Sequence, residues 1–216
     1  MEKRKNQVIV ALVFLVLILG FVFIYATKKS PDIEKMKKVG QIFNSSEDKA
    51  DESIYARGKS GGVISNDEIK EATEFYVLAG YDRVEAKEKA IQYMLKRDAT
   101  YQKAISEGYI VTDDEIYAYL DQLKTTINEA TNSDEAKALI EQFDSEDEYW
   151  QHEFEVYKVN LPIEKYLEAV KKEYIGNNSS GQSGVQDTTG SMEGYNDYIE
   201  ELQKKLVEQE QYEITE

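Results

Sequence analysis

The chain contains no cysteine, one histidine and only two prolines in 216 residues. Without cysteine it can form no disulfide, no thiolate nucleophile, no Cys-ligated metal centre and no lipid-modified cysteine anchor. The lone His152 excludes any site built on two imidazoles. Basic residues are also scarce: 26 Lys and Arg stand against 42 Asp and Glu, for a net charge of -16. That balance argues against nucleic acid as a partner, because phosphate recognition needs a basic face. No Gly-rich phosphate loop or nucleophile elbow is present. The acidic run 144–148 lacks the glycine and the twelve-residue pattern of a calcium loop. The expectation is therefore a protein without cofactor, metal or catalytic residues.

The charge that is present is unevenly spread. Lys3, Arg4 and Lys5 form a basic tip, and residues 27–216 carry 23 basic and 41 acidic side chains, a net of -18. Between tip and body, residues 8–26 contain no charge at all. At about 1.5 Å per residue such a run spans roughly 29 Å as a helix, close to the hydrocarbon thickness of a bilayer. It reads as a transmembrane signal anchor, with residues 1–7 cytoplasmic and the acidic body outside the membrane. Ile24-Tyr25-Ala26 loosely imitates a cleavage site, but the run is longer than a signal-peptide core and offers Ile24 where a small residue is preferred. The uncleaved anchor is the reading adopted.

Residues 27–62 read as an extracytoplasmic stalk. Ser30-Pro31 could open a short helix carrying Ile33, Met36, Val39 and Phe43, with Lys35, Lys37 and Lys38 on other faces. Such a helix would either rest on anionic lipid or act as a solubilised spacer. Gly58, Gly61 and Gly62 then punctuate the chain.

From Ile64 onward, helix boundaries dominate. Ser65 to Glu68, Thr112 to Glu115 and Ser145 to Glu148 each place a hydroxyl three residues before a glutamate, the reciprocal capping box. The first helix should stop at Gly80 and the second, about 82–107, at Gly108. The second places Val84, Ile91, Met94, Leu95, Tyr101 and Ile105 near one face. The third, from Asp113 to about Ala130, presents Ile116, Leu120, Leu123 and Ile127 at helical spacing. A short helix carries Ala136, Leu139, Ile140 and Phe143, and a long one runs from Glu146 towards Ile175. Pro162 inside it should cause a kink or break at 160–162. No convincing alternation of strand residues occurs, so the predicted fold class is all-α. Residues 176–194, in which thirteen of 19 are Gly, Asn, Ser or Thr, read as a flexible linker. Helical spacing resumes over 195–212 through Tyr198, Ile199, Leu202 and Leu206.

The stretch from Ala90 through Arg97 to Gly108, then Tyr109 to Ile116, resembles the N-terminal chaperone domain of the SurA and PrsA family. In that family a long helix ends in a turn with glycine and is followed by a short hydrophobic link and a Thr/Ser-x-x-Glu helix start. Ile64 to Ile69 looks like the family's first helix, and Ser145 to Trp150 like the start of its last long helix. The usual Asn-Gly turn before the first helix is replaced by the glycines of 58–62. The resemblance covers about residues 63–175 and implies a SurA N-terminal or trigger factor C-terminal-like helical body. Relatives often carry a parvulin prolyl isomerase domain after the long helix. Here the corresponding interval is the 19-residue linker, too short for such a domain, and 192–202 is similar to the returning helix. The resemblance thus implies a chaperone module without isomerase activity, whose partners are unfolded or nascent exported proteins, in a Gram-positive bacterium. A membrane helix in place of a lipid anchor is a departure from the family.

A holdase needs an exposed, partly apolar surface, and aromatic rings offer large contact area at small entropic cost. Of the 16 Tyr and one Trp, the candidate polypeptide-binding set is Tyr76, Tyr93, Tyr101, Tyr117, Tyr119, Tyr149, Trp150 and Tyr157. The competing reading for each is a core ring with its hydroxyl at the surface. Tyr117 and Tyr119, two apart on a helix, cannot both face one core, and Tyr149 with Trp150 invites the same argument. The acidic body would attract basic client segments or simply confer solubility. Glu148, His152 and Glu155 could face one another at helical spacing as a metal site, though packing is the plainer role for His152. A scaffold recruiting a single envelope or secretion partner is the alternative to a chaperone.

Overall fold

The computed structural model describes residues 32–47, 53–130, 133–179 and 188–215. The basic tip, the apolar run 8–26 and the centre of the expected linker, 180–187, lie outside the described residues. No helix among the described residues is long and apolar enough to cross a membrane.

The described residues are mostly helical. In chain order they form α1 (Ile33–Glu47), β1 (Ile54–Arg57), β2 (Val63–Ser65), α2 (Asn66–Leu78), α3 (Arg83–Ser106), α4 (Asp113–Glu129), α5 (Ser133–Ile140), α6 (Glu146–Ser179), α7 (Thr188–Glu210) and β3 (Glu213–Ile214). The helix starts follow their local chemistry. Ser65 and Thr112 each accept the backbone N–H of the glutamate three residues on, and Glu68 and Glu115 accept the cap residue's N–H in return. At α6 the third box is shifted: Glu148 N–H reaches Ser145, but the Glu148 carboxylate accepts the N–H of Asp144. Gly80 and Gly108 adopt the positive φ of 106° and 85° that turns the chain away after α2 and α3.

Three hydrophobic clusters hold the elements. The largest joins α1, α2, α4, α5 and the first half of α6, with Met36, Phe75, Ile116, Leu120, Phe143, Tyr149 and Leu161 among its members. A second sits between the strands, α2 and the first half of α3 around Ala56, Ile64, Ile69 and Met94. The third is formed by Ala99 and Ala104 of α3, Tyr166 of α6 and Leu206 of α7.

Several expectations are corrected here. Residues 33–47 and 53–62 belong to the folded body and do not form the expected stalk. Met36, Val39 and Phe43 are buried in the main core, and Gly40 lies so close to α5 that a Cβ would sit 2.5 Å from the Leu139 carbonyl oxygen. A small antiparallel sheet of order β2-β1-β3 also exists. Its strands have four, three and two residues, too short for a period-2 pattern to register in the sequence. Residues 58–62, with glycine at 58, 61 and 62, make its hairpin turn: the Gly58 N–H donates to the Gly62 carbonyl at 2.9 Å. On α3 the apolar face is carried by Ala86, Ala90 and Met94, whereas Val84 is 72% exposed. Small side chains let α2 and α3 approach closely, and spacing of large residues does not reveal them.

The helix α6 is not broken at Pro162. Tyr157 and Leu161 pack in the main core before the proline and Tyr166 in the third cluster after it, so burial on both sides holds the helix through the missing hydrogen bond. The helices also extend into the expected linker, α6 to Ser179 and α7 from Thr188. Adding a turn to an existing helix needs no new nucleation.

Candidate functional site

The eight aromatic candidates do not form one surface. Tyr149, Trp150 and Tyr157 are core residues, at 0%, 8% and 3% exposure. The expectation that one of Tyr149 and Trp150 faces solvent fails because the start of α6 is covered on more than one side. Phe143 meets the Tyr149 ring edge-on at 5.3 Å, and Lys124 of α4 lies 4.7 Å over the Trp150 ring. Trp150 also donates its indole N–H to Glu146 at 3.0 Å. Tyr76 and Tyr93 pack half-buried against the second cluster, and burial lifts the Tyr76 hydroxyl to about 12. Tyr101 is half-buried on α3.

Tyr117 and Tyr119 separate as expected. Tyr119 is half-buried against Tyr157, with ring centroids 4.7 Å apart. Tyr117 is exposed and stacks on Phe154 at 4.7 Å, with Lys158 4.8 Å over the far ring. An ion pair of 2.7 Å between Lys165 and Glu115 ties α4 to α6 nearby, and that hydrogen bond holds the Glu115 carboxyl below its ordinary range. The arrangement is an aromatic ledge with a cationic edge. A second aromatic group, half-buried except at Tyr198, lies where α6 meets α7. Tyr174 contacts Tyr195 and Tyr198 at 5.6 and 5.1 Å, Tyr195 donates to the Leu167 carbonyl at 3.2 Å, and Ile175 and Tyr198 reach solvent.

Beneath the ledge, α6 buries an acid. Glu153 is 6% exposed, and burial raises its carboxyl to about 8. The Tyr149 hydroxyl lies beside it, and burial pushes that hydroxyl well above its ordinary value. One residue earlier, His152 lies between the rings of Phe43 and Phe143 at 4.7 and 5.6 Å, and burial lowers it to about 4. A metal site with Glu148 and Glu155 is not assembled: Glu148 takes the Asp144 N–H and Glu155 pairs with Lys158. Among the described residues no group of His, Asp or Glu is placed to hold a metal ion. A hollow of about 360 Å³ opens between α4, α5 and the start of α6, floored by Ile127, Phe143 and Trp150 and rimmed by Lys124, Lys137 and Glu141.

Another polar construction joins residues distant in sequence. Glu210, at the end of α7, is 8% exposed and accepts the Ser60 N–H at 2.9 Å and the Ser60 hydroxyl at 2.7 Å. The Lys59 N–H donates to the Glu210 carbonyl at 2.8 Å. Tyr212 donates to Asp98 of α3 at 2.6 Å, and Gln102 donates to the same carboxylate at 3.1 Å. Asp98 packs directly on Gly62, where any Cβ would collide with the carboxylate oxygens. Between the two anchors, Gln211 takes a positive φ of 49° and turns the chain from α7 onto the sheet. This clasp fastens α7 to the hairpin and to α3. No local signal announces it, apart from the glycines of 58–62 that make room for it.

Comparison with known proteins returns no protein-family model, no curated protein and no solved structure that matches this chain.

Proposed function

We propose that this protein is a membrane-anchored, extracytoplasmic chaperone of the SurA and PrsA type that holds unfolded or exported polypeptides and lacks prolyl isomerase activity. The observation that carries the reading is the course of α7. After the Gly- and Ser-rich interval it returns to the body, burying Leu206 against α3 and α6, as the family's closing helix would. In this reading residues 8–26 tether the body to the outer face of the bilayer. Client binding falls to the exposed aromatics Tyr117 and Tyr198, whose apolar rings and wet hydroxyls suit weak, adaptable contact.

The test uses the full chain in detergent micelles and follows light scattering by a reduced, unfolded client. Suppression of aggregation at several-fold molar excess is expected, with no acceleration of cis-trans exchange in a proline peptide; unchanged scattering would sink the reading. A scaffold for one defined partner is the second reading. It is favoured by the burial of Tyr149, Trp150 and Tyr157, which leaves a small exposed aromatic area. Capture from membranes separates the two: one stoichiometric partner supports the scaffold, a broad set of exported proteins the chaperone.

A further inference from the structure

β1 is the central strand of the sheet, and its two neighbours are held very differently. On one side β2 is joined to it by the hairpin 58–62. On the other side β3 consists of Glu213 and Ile214, paired with Arg57 and Ala56, followed by Thr215, whose N–H donates to the Tyr55 carbonyl at 2.8 Å. Residues 213, 214 and 215 are all exposed, Ile214 at 51%. Two residues are fewer than a usual strand contains, and exposed side chains add little burial to the pairing. The chain is fastened just upstream instead, by Glu210 and Tyr212 in the clasp.

We propose that this edge of β1 is an acceptor for an extended polypeptide segment, and that residues 213–215 occupy it in cis as a replaceable stand-in. The proposal rests on the client-binding reading above and names the binding mode. Backbone pairing supplies attraction that does not depend on sequence, as in strand addition to an open sheet edge. The register supplies preference. The fitting segment places an acidic residue opposite Arg57, which is exposed beside the exposed Lys59, and a β-branched residue opposite Ala56. Opposite Tyr55 it needs a residue with a free N–H, which excludes proline. The stand-in's own Glu-Ile-Thr meets all three requirements. Because it is tethered at the clasp, its high effective concentration keeps affinity for outside segments low until it is displaced.

The test measures fluorescence anisotropy of a labelled octapeptide centred on Glu-Ile-Thr-Val, against the full chain in micelles, a chain lacking residues 213–216, and the full-length variant Glu213→Lys. The deletion is expected to tighten binding at least tenfold over the intact chain, with Glu213→Lys in between because it sets like charges opposite one another. A peptide with proline in place of the threonine is expected to bind none of the three. Equal affinity across the three proteins, or equal binding of the proline peptide, would overturn the proposal. So would a lowered unfolding midpoint of the deletion, since the clasp and not the strand is said to hold α7. Dimerisation of the deletion without peptide binding would assign the edge to a second copy and also overturn it. Client aggregation scored on the same proteins keeps the two proposals apart: suppression without peptide binding removes only the edge, and peptide binding without suppression removes only the chaperone.

Discussion

At the scale of single residues, His152 and Glu153 are neighbours that burial pushes in opposite directions. Glu153 goes from its ordinary 4.5 to about 8, so between those values the folded protein keeps a proton that the unfolded chain has lost, and stability falls as pH rises. His152 goes from 6.5 to about 4, so between those values the unfolded chain takes a proton that the folded protein refuses, and stability falls as pH drops. From about 4.5 to 6.5 the two slopes oppose each other. Above 6.5 only Glu153 acts, weakening the fold by up to about 1.4 kcal/mol per pH unit until 8. In urea unfolding at a series of pH values, Glu153→Gln should flatten the decline between 6.5 and 8, and His152→Gln should uncover the Glu153 slope between 4.5 and 6.5, so that stability there falls as pH rises. A Glu153→Gln profile parallel to the unmodified protein would show that the acid is hydrated in solution. Nothing in the sequence distinguished Glu153 from the other acids of α6, because its burial comes from neighbours on α4 and within its own helix.

Among elements, those whose ends carry their own chemistry were legible. The caps at Ser65 and Thr112 and the left-handed glycines 80 and 108 lie within one residue of the expected boundaries, and the face Ile116, Leu120, Leu123 and Ile127 is buried throughout. Elements defined by what they touch were not legible. The lysines around α1 suggested a spacer because they cover its other faces, yet its apolar stripe, with Gly40 at its centre, is a packing seam against α5. The expectation for Tyr149 and Trp150 failed for a related reason: a helix enclosed on several sides has no single inward face. Gly40→Ala should therefore be costly. The added methyl meets the Leu139 carbonyl oxygen at 2.5 Å and Gln142 Cβ at 2.8 Å, and overpacking of this kind costs about 1–3 kcal/mol. Chemical denaturation checks it; a change under about 0.5 kcal/mol would mean that α1 does not dock on α5 in solution.

For the whole molecule, three modest cores are linked by helices that each serve two of them. α3 reaches from the sheet cluster to the α7 cluster, and α6 from the main core to the same place. Glu210→Ala should loosen this arrangement at one edge only. It leaves the Ser60 N–H and hydroxyl without their acceptor, a loss of about 1–3 kcal/mol, and hydrogen exchange should quicken in α7 while α4 and α5 keep their protection. Uniform acceleration throughout would instead mean that the molecule opens as one unit. The sequence offered the helical body and a helix over 195–212, since both are written in local periodicity. It could not offer the clasp, whose partners Ser60 and Glu210 are separated by 150 positions. That separation bears on the order of events during synthesis. Such a distant loop closes late, and residues 210–215 leave the ribosome after the rest of the described body. Until they arrive the hairpin has no partner on its outer side, and each growing copy passes through an interval in which its own sheet is the least protected part of it.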